Sequence, residues 1–210
     1  SRDAFLIDRN PAADVPFLKS ASTGFHTWTV EEIEQFEAHW PIGTRARLAL
    51  AVLAFTGVRR SDAVILGNQH LEGGTLRGGW LKFMQAKGSN RRAKVVEVPV
   101  LDELADVIEA SPLGDMVWIT SKRGRPFSSP ASFGGAMRRW CDAAGLPHCS
   151  AHGLRKAGAC LAAERGASEA QLRAIFRWDD PKMAAHYTRE ASRRKLAAEA
   201  VHLLSRRNKP

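Results

Sequence analysis

Phe176-Arg177-Trp178-Asp179-Asp180-Pro181-Lys182-Met183-Ala184-Ala185-His186-Tyr187-Thr188-Arg189 is the stretch on which the reading of this chain turns. Tyr187 is the only tyrosine among 210 residues. Pro181 suits the first turn of a helix, where its missing N–H would have had no helical partner, so Tyr187 is expected on the helix that follows. Just upstream stands Ala151-His152-Gly153-Leu154-Arg155-Lys156, and far upstream Thr56-Gly57-Val58-Arg59-Arg60-Ser61-Asp62. A lone tyrosine says little by itself. Accompanied by two separate arginines and a histidine on a basic chain, it suggests a phenol that attacks a phosphate.

The bulk properties agree. Lys and Arg number 31 against 22 Asp and Glu, a net charge of +9, and the isoelectric point is near 10. Such a surface favours a polyanion, nucleic acid first. Hydrophobic residues at 44% and charged ones at 25% are ordinary for a soluble globular domain and argue against wholesale disorder. The length suits one sizeable core. Cys141, Cys149 and Cys160 are odd in number and widely spaced, which fits a reducing, cytoplasmic compartment better than a disulfide framework. No apolar run reaches membrane-spanning length, so no membrane partner is expected. Cys141, His148, Cys149, His152 and Cys160 form a loose set of potential ligands. The paired, short-spaced cysteines of structural zinc sites are missing, and no metal is expected.

The order of elements follows from periodicity and breakers. Residues 1–26 read as a linker, with turn signals at Asn10-Pro11, Val15-Pro16 and Ser20–Gly24. The opening Ser1, not Met, suggests a piece of a longer protein. Thr29-Val30-Glu31-Glu32 has the spacing of a capping box and starts the compact domain. Arg45–Phe55 is apolar on most sides, as a buried helix is, and ends at Thr56-Gly57. Ser61–Leu66 reads as a short helix. Trp80–Ala86 and Lys94–Val100 alternate like strands, and Lys87-Gly88-Ser89-Asn90-Arg91-Arg92 between them is the basic turn of a hairpin. Further helices are expected at Leu101–Ala110, Pro130–Ala144, Leu154–Arg165, Ser168–Phe176, after Pro181, and at Ser192–Leu204. The fold class is α+β, mainly helical, with a small antiparallel sheet.

Covalent cleavage of a phosphodiester needs a nucleophile that later leaves well, and a phenol of pKa about 10 does both. Charge on the non-bridging oxygens suits guanidinium forks, and Arg59 and Arg155 could clamp it from two sides. The leaving 5′-oxygen needs a proton. Lys87 at the hairpin turn is favoured for this over Lys82, inside the first strand, and Lys94, which opens the second. His152, three residues before Arg155, would share its helical face and could accept the phenolic proton or bond the phosphate.

Thr56–Asp62, His152-Gly153-Leu154-Arg155, and Trp178 nine positions before Tyr187 resemble the motifs of the tyrosine recombinases, the phage integrase family, in order and spacing over about Trp28 to Leu204. The resemblance implies a catalytic-domain fold of that family, metal-free and without a cofactor. It also implies cleavage of double-stranded DNA through a 3′-phosphotyrosine. By the same resemblance Arg59 and Arg155 bind the phosphate, His152 is the motif histidine, Lys87 the general acid, Tyr187 the nucleophile and Asp62 a supporting acid. Trp178 stands where histidine is usual, and its indole N–H can still donate; Arg177 stands where glycine is usual. Arg60, Arg91, Arg92, Lys156 and Arg177 are the candidate DNA contacts. The implied organisation is a linker (1–26) from a missing N-terminal DNA-binding domain, a catalytic domain (27–205) and a basic tail (206–210). A homotetramer on DNA, docked through the C-terminal helix with its apolar Leu196, Leu203 and Leu204, is implied, with a monomer or weak oligomer otherwise. The rival readings are a non-catalytic DNA-binding relative, expected if Trp178 points away from the arginines, and a type IB topoisomerase-like enzyme.

Overall fold

The computed structural model describes residues 24–85 and 95–201. Helix α1 spans Val30–His39 and begins in the expected capping box: Thr29 Oγ1 accepts from Glu32 N, and the Glu32 carboxylate accepts from Thr29 N. Helix α2, Arg45–Thr56, is the centre of the core, with Leu48, Leu50, Val52 and Leu53 all buried. It stops at Gly57, whose φ of 60° is a left-handed conformation that a Cβ would penalise. Arg59 takes the N-cap position of the short α3, Arg60–Ala63. This is briefer than the helix expected through Leu66, because Val64 and Ile65 form a turn that leads to two 3-10 turns, Asn68–His70 and Glu72–Gly74.

Strands β1, Trp80–Met84, and β2, Val95–Pro99, pair antiparallel from Trp80 opposite Pro99 to Met84 opposite Val95. Leu81, Phe83, Val96 and Val98 face the core, while Trp80, Lys82, Met84, Val95 and Glu97 face out. The basic turn, with Lys87, Arg91 and Arg92, lies outside the described residues. Helix α4, Asp102–Ala110, packs Leu104, Ala105, Val107 and Ile108 against the core beside α2. The segment around Met116–Ile119 is irregular but anchored: Trp118 is buried and its Nε1 donates to Asn68 Oδ1 at 2.7 Å.

Helices α5, Pro130–Ala143, and α6, Ala151–Glu164, follow. Helix α6 starts three residues earlier than its periodicity predicts. Ser150 is the N-cap, accepting from Gly153 N, so His152 lies within the first turn and not before it. Helix α7, Glu169–Phe176, opens in a Ser168–Gln171 capping box. Helix α8, Pro181–Ala200, is one continuous helix where two were expected; no glycine or proline interrupts it, and Ser192 is an interior residue and not a cap. Leu203 and Leu204 lie outside the described residues, and Leu196 and Val201 are exposed.

Two buried clusters result. The larger one joins α1, α2, the hairpin, α4, α5 and the start of α6. The smaller one joins Ala159 and Ala163 of α6, Leu172 and Phe176 of α7, and Ala184 and Tyr187 of α8. Tyr187 therefore belongs to a satellite core built on the small-residue face of α6. Among the described residues, no helix is long and apolar enough to cross a membrane.

Candidate active site

Three segments distant in sequence meet where α6 passes the ends of α2 and α7. Arg155 is the centre. One guanidinium nitrogen donates to the Phe176 carbonyl at 2.5 Å, and the group lies over the Phe176 ring, 5.3 Å from its centroid. Burial pushes the Arg155 pKa down to about 10. The Arg59 and Arg177 charges act in the same direction, and Asp62 and Tyr187 oppose them. Arg59, Arg155, Arg177, Asp62 and Tyr187 thus share one electrostatic neighbourhood. Asp62 is buried there, 1% exposed. Asp62 acts on both Arg155 and Arg177, and Arg59 adds to the positive charge at Arg155, so cationic charge remains in a partly desolvated place, where an anion is stabilised.

Tyr187 is buried and stacks on Trp178, ring centroids 5.1 Å apart and 9° from parallel. Trp178 stacks in turn on Phe176 at 5.1 Å. The three rings form one stack, and the Arg155 guanidinium lies over its Phe176 member. Burial raises the Tyr187 pKa, as does Cys160, while Arg155 lowers it. The phenol therefore carries its proton at neutral pH and needs a base to attack.

Arg177 stands in the left-handed region at φ 52°, alone in this among the described non-glycine residues. It is the C-cap of α7, a position that favours glycine. Its guanidinium donates to the carbonyls of Ile175 and Glu97, tying α7 to β2. Burial lowers its pKa, against Asp62 and Glu97. The arginine for glycine exchange is thus a third cation added to the cluster at the cost of backbone strain.

His152 is exposed at the start of α6, its ring against Phe25 with centroids 4.7 Å apart. Burial lowers its pKa, helped by the Arg155, Lys156 and Arg60 charges, so the neutral ring can accept a proton. Gly153 next to it is required by packing: a Cβ would come within 1.9 Å of the His26 carbonyl. Lys156 donates to the Phe25 carbonyl at 2.8 Å, and Arg60 lies across α5, where a Cβ on Gly134 would meet its guanidinium. Both candidate DNA contacts therefore also carry structure. Lys82, the rival to Lys87, pairs with Glu97 at 2.8 Å and Glu72 at 3.4 Å on the outer face of β1.

Sequence reasoning missed the support beneath these groups. Phe25 and His26, assigned to the linker, pack against α6. Trp28 donates from Nε1 to the Ser150 carbonyl at 2.9 Å and so fixes the cap of α6. Gly57 is the one signal that pointed to Phe176: a Cβ there would stand 2.8 Å from the Phe176 ring. The loose set of cysteines and histidines does not converge as a whole. His148 and Cys149 instead join His26 and Glu32. A cavity of about 910 Å³ runs along α6, between Trp28, Leu50, Leu154 and Leu161, and reaches Cys160 and Tyr187.

Residues 27–194, most of the chain, match the phage integrase family. The chain belongs to the phage integrase family. Its fold is found in solved members. XerA recombinase aligns with a TM-score of 0.67 at 18% identity, over 87% of this chain and 66% of that one. A lambda integrase dimer bound to a COC′ core site gives 0.61 at 20%, over 80% and 60%. The Tn1549 transposon integrase in complex with transposon right end DNA gives 0.64 at 17%, over 95% and 73%. This chain thus spans about two-thirds or less of the XerA and lambda integrase chains. No curated protein matches it in sequence. The integrase-family assignment agrees with the mainly helical fold and its two-stranded sheet.

Proposed function

We propose that this chain is the catalytic domain of a site-specific DNA recombinase that cleaves and rejoins double-stranded DNA through a covalent 3′-phosphotyrosine. The observation that carries this is the placement of Arg155 over Phe176, in a ring stack that holds Tyr187, within the charge fields of Arg59, Arg177 and buried Asp62. In the proposed reaction the scissile phosphate sits against the Arg59 and Arg155 guanidiniums. A guanidinium has five N–H donors, so the bond from Arg155 to Phe176 leaves others for phosphate oxygens. Tyr187 Oη attacks phosphorus in line as neutral His152 takes its proton. The phosphorus–O5′ bond breaks, and Lys87 gives the leaving oxygen its proton. Trp178 orients the phenol by stacking and can offer its indole N–H to the phosphate. Asp62 holds the arginines. No metal or cofactor enters a step.

Arg60, Arg91, Arg92, Lys156 and Arg177 are the proposed contacts to the duplex backbone. On DNA the protein would assemble as a tetramer through the end of α8, where exposed Leu196 and Val201 offer apolar surface. It would act in the cytoplasm, as a monomer or weak oligomer when free. The solved lambda integrase tetramer bound to a Holliday junction supports that assembly by likeness of fold.

The test uses nicked duplexes of randomised sequence, in which the short strand beyond the cut diffuses away. Wild-type protein should leave a detergent-resistant adduct on a 3′ end, with a free 5′-hydroxyl opposite. A chain that binds these duplexes and never forms the adduct would instead be a non-catalytic relative. Relaxation of supercoiled plasmid by the monomer would favour the topoisomerase-like reading.

A further inference from the structure

Just before the cap of α6, four side chains from three segments point at one place. His26 precedes α1, Glu32 lies in its first turn, and His148 and Cys149 stand just before the cap of α6. One potential ligand atom from each lies within 4.8 Å of all the others. His26 Nε2 is 2.9 Å and His148 Nε2 2.5 Å from the same oxygen, Glu32 Oε1. The buried Cys149 thiol lies within 4.8 Å of the same carboxylate. Glu32 Oε2 accepts from Thr29 N at 2.8 Å, which fixes the carboxylate; His26 Nε2 bridges both oxygens, 2.8 Å from Oε2, while His148 meets Oε1.

We propose that His26 Nε2, Glu32 Oε1, His148 Nε2 and Cys149 Sγ form a binding site for a zinc-class divalent transition metal. One thiolate, two imidazoles and one carboxylate suit zinc and do not suit magnesium or calcium, which take oxygen ligands. Tetrahedral zinc with bonds of 2.0–2.3 Å puts its ligand atoms about 3.3–3.7 Å apart. The present contacts would open by less than about 1 Å to reach that spacing. Four protein ligands close the coordination sphere, so the role is structural. The half-exposed His148 and His26 give the ion a path in, above the buried Cys149. Binding displaces the thiol proton to solvent, so affinity rises with pH. The metal would lock residues 25–28, already bonded to α6 through Trp28 and Phe25, onto the first turn that carries His152. Cysteine spacing along the chain does not reveal this set, because His148 and its partner Glu32 are 116 residues apart.

The test is titration of the untagged, chelator-treated chain with cobalt chloride and zinc chloride. One cobalt per chain should give tetrahedral d–d bands and a thiolate charge-transfer band, both displaced by zinc, and zinc should raise the thermal midpoint. Cys149→Ser should abolish the charge-transfer band. His148→Ala, at an exposed position that folding tolerates, should weaken zinc binding at least about tenfold. Absence of stoichiometric tetrahedral cobalt bands would overturn the proposal, leaving a hydrogen-bonded clamp. Equal zinc affinity in the His148→Ala/Cys149→Ser double variant would overturn it too, by placing the metal on other histidines.

Discussion

Gly57→Ala is the substitution that best probes how the fold aims Arg155. Gly57 has φ 60°, where an L-residue costs about 1–2 kcal/mol. The new methyl would also stand 2.8 Å from Cε1 of Phe176. That ring is not free to swing aside: it is 3% exposed, stacked on Trp178 and covered by the Arg155 guanidinium. Overpacking of this kind costs about 1–3 kcal/mol. The sum is about 2–5 kcal/mol, or a thermal midpoint lower by roughly 4–20 °C for a domain of this size. Gly73→Ala is the control, with φ 64° and open space around its Cβ, and should lose only about 1–2 kcal/mol. Because Phe176 is also the acceptor for Arg155, Gly57→Ala should lower the rate of covalent adduct formation beyond its loss of folded protein. Differential scanning fluorimetry and a gel assay of the adduct measure the two effects. Equal destabilisation by Gly57→Ala and Gly73→Ala would refute the role given to Phe176.

Asp62→Ala should destabilise the chain by about 3–5 kcal/mol, since it leaves buried cations uncompensated; urea unfolding measures this. Trp178→Ala should cost about 1–3 kcal/mol through the lost stacking on Phe176 and Tyr187, and Trp178→His should retain more cleavage than Trp178→Ala, as a ring with an N–H donor. His152 titrates below its ordinary value in the folded chain, so the unfolded chain holds more proton between the two values. Stability should therefore fall as pH drops through the ordinary histidine range toward the lowered value, and His152→Gln should flatten that part of a melting-temperature profile. DNA binding measured by filter retention should weaken roughly 40-fold between 50 and 200 mM salt if about three phosphates are neutralised.

The candidate groups were legible because their chemistry is tied to residue type: guanidinium for phosphate, phenol for attack, imidazole for the proton. What lay beneath them was not. Gly153 reads as a helix breaker, yet it sits inside α6 because the His26 carbonyl occupies the place of its side chain, and that contact is long-range. Ser192 reads as a cap, but a cap matters only where the chain leaves the helix, and nothing between Tyr187 and Ser192 makes it do so. Arg177 reads as a departure from glycine; only the backbone angle reveals why glycine is usual there and what the exchange costs. Residues 25 and 26 directly follow the Ser20–Gly24 turn signals and belong to no periodic run, so their packing on α6 was invisible to periodicity.

The central claim is that Tyr187 Oη displaces the sugar at a phosphate held by Arg59 and Arg155. Acid hydrolysis of the purified protein–DNA adduct, followed by phosphoamino acid analysis, tests it most directly. Tyr187 is the only tyrosine, so phosphotyrosine identifies it without further mapping. The account predicts phosphotyrosine alone, and no adduct from Tyr187→Phe. Phosphoserine in the hydrolysate, or an undiminished adduct from Tyr187→Phe, would contradict it.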